Sequence, residues 1–239
     1  MINSRPRLGK LRGISQRMSV PTPLSSDKRA QLWLGLVSIF GLVFLLIPRR
    51  SSWIITRIFA EDGQVFLSES LRNGIGGLFD TYAGYLHIVP RLISNGCVQV
   101  GPEAYVSCTT VSADLVRILG VVVAFPVLTR FTGSWKWGLL AASSFVLIPV
   151  GQQEVLGNIT NLRWFLVAMA FFAIMGVFNR PAFALFATLI AIGAVLSDPL
   201  ALFLIPFALW RLVSVTGFWA RVPSIGLLFG ALTHILLIE

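Results

Sequence analysis

The chain has 239 residues, of which 56% are hydrophobic and only 12% carry a charge, and its mean hydropathy is +0.81. In soluble domains about a quarter of the residues are charged, so this composition excludes a soluble enzyme and predicts an integral membrane protein. The net charge of +9 does not indicate nucleic-acid binding, because the basic residues lie mostly between apolar segments, as expected from positive-inside topology.

The N-terminal stretch is basic and rich in Pro and Ser, which predicts a disordered cytoplasmic tail over residues 1–29 before a transmembrane core over 30–239. The first apolar run, 30–48, has about 19 residues and is followed by arginines, so it predicts a retained anchor and not a signal peptide. Six more apolar runs predict an all-α, polytopic bundle of about seven spans. These runs are 104–128, 137–151, 162–178, 181–197, 199–214 and 222–238.

A cytoplasmic N-terminus places the basic loops on the cytoplasmic side, with Arg130, Lys136, Arg180, Arg211 and Arg221. Most acidic residues then fall on the other side. They are Glu61, Asp62, Glu69, Asp80, Glu103, Glu154, Asp198 and Glu239. Because acidic residues contribute little to topology, this gathering predicts a polar cavity on the outer side, built from several loops.

The first outer loop, 49–103, is far longer than the other connections, which predicts that it is functional or structured. Its stretch "DGQVFLSESLRNG" has helical spacing, with Asp62 placed as an N-cap and Gly74 as a C-terminal stop. The later stretch "TYAGYLHIVPRLISNG" has the mixed aromatic and basic composition of an interfacial helix. We therefore expect short amphipathic helices on the outer membrane surface.

A basic tail, one span, a long outer loop that opens with adjacent acids, and a series of apolar helices together resemble the GT-C superfamily of integral membrane glycosyltransferases. The stretches "AEDGQVFL", "YAGYLHIVPRL" and "LGNITNLRWFL" are similar to motifs of bacterial multi-span members and of protein mannosyltransferase relatives. The resemblance implies transfer of a sugar from a polyprenyl-phosphate donor to a glycan, lipid or protein acceptor outside the cytoplasm. It also implies a multi-pass protein of a bacterial plasma membrane.

In such enzymes the first-loop carboxylate acts as a base or as a ligand of a divalent metal ion, and Glu61 and Asp62 both match that position. If Asp62 caps the helix, Glu61 is freer to meet the acceptor hydroxyl. The structural alternative is a cap with a solvated neighbour. The resemblance identifies no metal ligands beyond this pair.

The departing phosphate needs cationic or hydrogen-bonding groups, and the chain offers them in two outer loops. Arg91 can bind phosphate, and His87, four residues earlier, can exchange a proton near neutral pH. Asn161 and Arg163 stand at the mouth of a span, where polar side chains tend to face an aqueous cavity. The alternative is that Arg91 extends to lipid headgroups and His87 occupies a polar interface.

Other polar residues have simpler interpretations. Cys97 and Cys108 would lie about 16 Å apart on one helix, so no disulfide is expected between them. Three further predictions concern polar side chains in or beside the spans. They are an ion pair between Asp114 and Arg117, a helix cap at Asp198 before Pro199, and an interfacial position for His234.

Two rival functions remain open. A transporter or flippase subunit would be expected to carry midspan charges or helix breaks and an internal repeat, and a non-catalytic scaffold protein would need no acid cluster. GT-C enzymes usually continue beyond a seven-helix core. We therefore expect a minimal core, a truncated product or one half of a split enzyme.

Overall fold

The computed structural model describes residues 27–46, 58–147, 157–178 and 180–238. Most of the predicted tail, 1–26, and the acidic residues Glu154 and Glu239 lie outside these ranges. The described part is all-helical, which confirms the all-α class. The helices are α1 Lys28–Leu46, α2 Ser68–Asn73, α3 Ile88–Val98, α4 Tyr105–Thr132, α5 Trp135–Ala142, α6 Ser144–Leu147, α7 Leu162–Met175, α8 Pro181–Val195, α9 Ile205–Ser214 and α10 Phe218–Ile238.

Short helical segments of other types complete the fold. A π-helical segment, Asp62–Leu67, leads into α2, and 3-10 helices lie at Gly74–Phe79 and Pro199–Leu204. α2 ends at Gly74, whose φ of 53° is a conformation that glycine adopts easily, so this predicted stop is confirmed. The first outer loop thus contains short helices, as the sequence predicts.

Within the described residues each predicted span coincides with helical structure, although the third is divided into α5 and α6. Two of the described helices, α4 and α10, are long and apolar enough to cross a membrane. α7, α8 and the segment Pro199–Ser214 are apolar but shorter. The described chain therefore has the character of a membrane-associated helical protein.

Close packing of α8 against α10 fixes the position of the last helix. A Cβ atom at Gly226 would approach Thr188 Cγ2 to 2.4 Å, so a glycine is needed where these helices meet. Ala187, Ala191 and Ala194 of α8 are buried. Small residues allow transmembrane helices to approach closely. This contact brings the C-terminal half of α10 toward the turn that follows α8.

Arginine side chains satisfy carbonyl groups at one end of the bundle. Arg211 is fully buried, and its Nε and Nη2 donate to the carbonyl oxygens of Ile174 and Gly176 at 3.0 and 2.8 Å. Arg221 Nε donates to the Val215 carbonyl at 2.9 Å. Such donors satisfy carbonyls that a helix C-terminus leaves free. We call the turns between α4 and α5, α7 and α8, and α9 and α10 the basic end.

A disulfide joins Cys97 and Cys108, so the expectation that these cysteines do not pair is wrong. That expectation assumed one continuous helix. The chain turns between α3 and α4 instead, which brings the two Cα atoms to 5.6 Å, within the range that a disulfide can span.

Removing this disulfide is expected to destabilise the protein by about 3 kcal/mol, because the unfolded chain regains the conformational entropy that the closed loop had removed. The measurement is the thermal unfolding midpoint in detergent of wild type and of Cys97→Ser with Cys108→Ser. Reductant should lower the midpoint of wild type toward that of the double variant and leave the variant unchanged. Equal midpoints for both proteins without reductant would contradict the expectation.

Candidate functional site

Three chain segments meet at the end of the bundle opposite the basic end. They are the segment 58–104 before α4, the segment 157–163 that ends in the first turn of α7, and the turn 196–199 after α8. The start of α3 is tied to that turn, since the N–H groups of Ile88 and Val89 donate to Leu196 O and Ser197 Oγ at 3.2 and 3.0 Å. We call this region the loop end. It contains all six residues predicted to be catalytic or substrate-binding.

Asp62 connects the first and second of these segments. Its carboxylate is 3% exposed and accepts hydrogen bonds from the N–H groups of Ile159 and Thr160 and from the Thr160 hydroxyl, at 2.9, 3.1 and 2.5 Å. Burial raises the pKa of Asp62, and these hydrogen bonds offset part of the rise. The N-cap prediction is wrong, because Asp62 lies inside helical backbone and its carboxylate bonds to the distant loop.

Glu61 directly precedes this connection. Its backbone is helical, and its side chain is half-buried. Neighbouring residues of a helix point in different directions, so Glu61 does not share the three donors that Asp62 accepts. Of the two adjacent acids, Asp62 is therefore the one whose carboxylate binds the second loop, and Glu61 takes no part in these hydrogen bonds.

Arg91 is buried on α3 and forms an ion pair with Glu69 of α2 through Nη1. Its guanidinium also lies 5.7 Å from the ring centroid of Phe66. Nε and Nη2 have no hydrogen-bond partner among the described residues. Arg91 is therefore a buried cation that is held in place on one side and has free donors on the other.

His87 is fully buried among aromatic rings. Its ring centroid lies 4.3, 5.4 and 5.6 Å from those of Tyr85, Phe66 and Tyr82. Burial lowers the pKa of His87 to about 4; Arg91 and His234 lower it further, and the Tyr82 backbone offsets part of the effect. The ring is therefore neutral near neutral pH, and the expectation that it exchanges a proton there is wrong. A neutral ring offers one donor and one acceptor.

We expect His87 to make the protein sensitive to acid. Its pKa is lower in the folded state than the ordinary 6.5, so the unfolded state binds more protons between pH 6.5 and about 4. The free energy of unfolding therefore decreases as the pH falls through this window. The total decrease is about 3 kcal/mol. Asp62, with its raised pKa, acts in the opposite direction.

The measurement is the unfolding midpoint of wild type and of His87→Asn from pH 7.5 to pH 4. The difference between the two curves isolates His87, because both proteins retain Asp62. Wild type should lose stability faster than the variant below pH 6.5. Parallel curves over the whole range would show that His87 does not titrate with a lowered pKa.

Arg163, at the start of α7, joins the second segment to the first and to the third. Its Nη1 donates to the Tyr85 hydroxyl, and its Nε lies 3.6 Å from Asp198 Oδ2 in a salt bridge. The other oxygen of Asp198 accepts the Leu200 N–H at 2.7 Å, which confirms the predicted cap. Tyr85 and Asp198 therefore hold Arg163 at the loop end.

The other polar residues named from the sequence have different outcomes. Asn161 is half-buried, and its backbone N–H donates to Asn158 Oδ1 at 2.8 Å, so it shapes the turn before α7.

Arg117 and Asp114 are both buried on α4. Arg117 Nε donates to the Phe145 carbonyl at 3.0 Å, and an ion pair between Arg117 and Asp114 stays a prediction.

His234 lies inside the protein at the loop end, and its interfacial depth in the membrane stays a prediction. The residue is 2% exposed, and it lies close enough to His87 and Asp198 to interact with both electrostatically. Packing against α8 determines which face of α10 is buried. The sequence of α10 is mostly apolar on all sides, so it does not predict that face.

The described residues do not fit a divalent metal ion. They contain no group of three or more His, Cys, Asp or Glu side chains that could hold one. Both oxygens of Asp62, one of the two acids that match the metal-ligand position, already accept hydrogen bonds from the second segment.

The loop end instead concentrates hydrogen-bonding nitrogen atoms that lack partners. Within the described chain, both ring nitrogens of His234 and Nε and Nη2 of Arg91 are buried without a hydrogen-bond partner. Among the same residues, the His87 ring has the Tyr82 backbone as its one hydrogen-bonding neighbour, and Nε of Arg163 has only the 3.6 Å contact with Asp198. Unpaired buried polar groups are rare in folded proteins, since each costs free energy unless water or a ligand satisfies it. Two guanidinium groups among them suit an anion.

The chain matches no protein-family model, no curated protein and no solved structure. Membership of the GT-C superfamily therefore stays a prediction that rests on residues of the outer loops. The arrangement of side chains at the loop end provides the physical basis for a functional proposal.

Proposed function

We propose that the protein is a multi-pass membrane glycosyltransferase of GT-C type. It transfers a sugar from a polyprenyl-phosphate donor to an acceptor outside the cytoplasm of a bacterial cell. The donor lies in the membrane, and the loop end is the catalytic side. The observation that carries this proposal is the meeting of Arg163, Arg91 and His87 at a place reached by three separate segments, where Nε and Nη2 of Arg91 have no hydrogen-bond partner among the described residues.

The membrane topology in this proposal has seven spans and a cytoplasmic N-terminus. Large apolar side chains are exposed on many helices, as on a surface that faces lipid; Phe203 and Val213 are 75% and 82% exposed. Disulfides persist in oxidising compartments, so the Cys97–Cys108 bond supports an extracytoplasmic loop end. The arginines of the basic end then face the cytoplasm.

The proposed chemistry divides the work between the two first-loop acids. Glu61 removes the proton from the acceptor hydroxyl as that oxygen attacks the anomeric carbon of the sugar. The bond from this carbon to the phosphate oxygen breaks, and the electron pair leaves with the phosphate. Asp62 acts as a positioning residue, since its carboxylate fixes the second loop three residues before Arg163.

The departing phosphate gains negative charge and is stabilised by preorganised cations. Arg163 is held by Tyr85 and Asp198, and Arg91 is held by Glu69, so neither guanidinium has to reorganise during the reaction. His87, neutral at physiological pH, serves as a hydrogen-bonding group and not as an acid or base. This scheme uses no metal ion.

The test is the affinity of purified protein in nanodiscs for decaprenyl phosphate, with decaprenol as the uncharged reference. Wild type should prefer the phosphate, and Arg163→Gln should bind it at least tenfold more weakly, because a charge-assisted hydrogen bond contributes about 1.5–3 kcal/mol. Arg180→Gln is the matched control, since Arg180 is exposed at the basic end. Equal affinity of wild type and Arg163→Gln would overturn the phosphate assignment.

A further inference from the structure

A tight turn projects from the loop end between the two parts of the first outer loop. Tyr82 and Tyr85 exchange both backbone hydrogen bonds, N–H to O, at 3.0 and 3.3 Å. The two residues between them, Ala83 and Gly84, have φ angles of 55° and 85° and are exposed. Positive φ at both central residues is the signature of a type I′ turn. We call residues 82–85 the tyrosine turn.

Ala83 holds this turn in a conformation that its side chain disfavours. Among the described residues it is the only one other than glycine with a positive φ. Alanine lacks the polar side chain that helps Asn or Asp adopt this conformation, so the position costs about 1–2 kcal/mol. Backbone strain of this kind persists where surrounding contacts enforce it, and such positions cluster at binding sites.

The turn brings two tyrosine side chains to one face. Residues directly opposite each other in an antiparallel pair project to the same face, so the side chains of Tyr82 and Tyr85 leave the turn on the same side. Both rings contact the ring of buried His87, and both are half-buried. Most of each residue's surface is therefore packed against the loop end, while a smaller part is open to a ligand.

The tyrosine turn lies directly beside the arginine proposed to bind phosphate. Arg163 donates to the Tyr85 hydroxyl, and its guanidinium carbon lies 5.7 Å from the Tyr85 ring centroid. In a polyprenyl-phosphate sugar, the sugar ring is bonded to the phosphate itself. A group that binds this sugar must therefore adjoin the phosphate ligand, and the tyrosine turn does.

We infer that the tyrosine turn binds the sugar ring of the donor, with Tyr82 and Tyr85 contacting the C–H face of the sugar. This inference rests on the proposed function and adds to it the residues that recognise the sugar. A sugar ring has an apolar C–H face and a rim of hydroxyl groups, which suits an aromatic surface with a polar group at its edge. Arg163 is that polar group.

The experiment compares donors with and without the sugar. Dissociation constants are measured in nanodiscs for decaprenyl phosphate and for its mannosyl and arabinosyl forms. Wild type should bind at least one sugar-bearing form more tightly than decaprenyl phosphate. Tyr82→Ala should bind that form about tenfold more weakly than wild type while its affinity for decaprenyl phosphate stays unchanged. Tyr82 is the residue to replace, because Tyr85 also holds Arg163.

Three further variants sharpen the comparison. Tyr82→Phe keeps the ring and should retain wild-type affinity. Phe79→Ala removes an aromatic ring that is 56% exposed close to the turn but outside it, and should change neither affinity. If Tyr82→Ala does not fold, Tyr82→Leu fills the same space without an aromatic face and should show the same selective loss.

The outcomes separate the inference from the proposed function. Wild-type affinity of Tyr82→Ala or Tyr82→Leu for the sugar-bearing donor would overturn the inference alone. The same holds if wild type binds every form equally tightly. If wild type binds none of the three polyprenyl phosphates, the proposed function fails and the inference fails with it.

Discussion

Replacing Asp62 with alanine is expected to lower the free energy of unfolding by about 3–5 kcal/mol. The N–H groups of Ile159 and Thr160 would lose their acceptor inside the protein, and each such group costs about 1–3 kcal/mol. Asp62→Asn should be nearly as damaging, since its amide nitrogen would meet one of these donors with a donor of its own. In thermal unfolding the loss corresponds to a midpoint lowered by roughly 10 °C.

Asp80→Ala provides the matched control for this prediction. Asp80 belongs to the same loop and accepts a hydrogen bond from Asn73 Nδ2 at 3.0 Å, but it is exposed, and water can replace the lost acceptor. Its midpoint should stay within about 2 °C of wild type. If Asp62→Ala were as stable as Asp80→Ala, Asp62 would not be the link between the first and second segments.

Replacing Glu61 with glutamine is expected to reduce sugar transfer by about 100- to 10,000-fold, the range that a general base contributes. Glutamine keeps the shape of the side chain, and Glu61 takes no part in the hydrogen bonds of Asp62, so the fold and donor affinity should be unchanged. The measurement is the single-turnover rate of transfer from a radiolabelled donor, together with the dissociation constant of that donor.

Glu103→Gln is the control for this comparison, because Glu103 is an exposed acid in the turn before α4. Its transfer rate should match that of wild type. A Glu61→Gln rate within threefold of wild type would remove Glu61 from the reaction, and the site would then lack a base.

The sequence predicted the parts of the fold that depend on local signals. Continuous apolar runs marked the helices, such as α8, because a helix is the only structure that satisfies its own backbone in a bilayer. Gly74 and Asp198 were identified as a helix stop and a helix cap from their immediate neighbours alone. These features need no knowledge of which helices are adjacent.

Features that depend on distant contacts could not be predicted in this way. The partners of Asp62 lie 97 and 98 residues away, so its local position suggested a cap instead of a link. Cys97 and Cys108 pair only because the chain turns between two helices. Arg91 and Arg163 were identified as candidate ligands, but the groups that hold them, such as Glu69 and Tyr85, appear only in the folded chain.

The most direct test of the proposed function follows the donor sugar in proteoliposomes that contain purified protein with the loop end outward. A radiolabelled decaprenyl-phosphate sugar is supplied together with an extract of the bacterial cell envelope, which contains the acceptor. The glycosyltransferase proposal predicts that label leaves the polyprenyl phosphate and appears covalently on an acceptor, with unlabelled decaprenyl phosphate as the second product. Intact donor that only changes leaflet would contradict it and would identify a flippase instead.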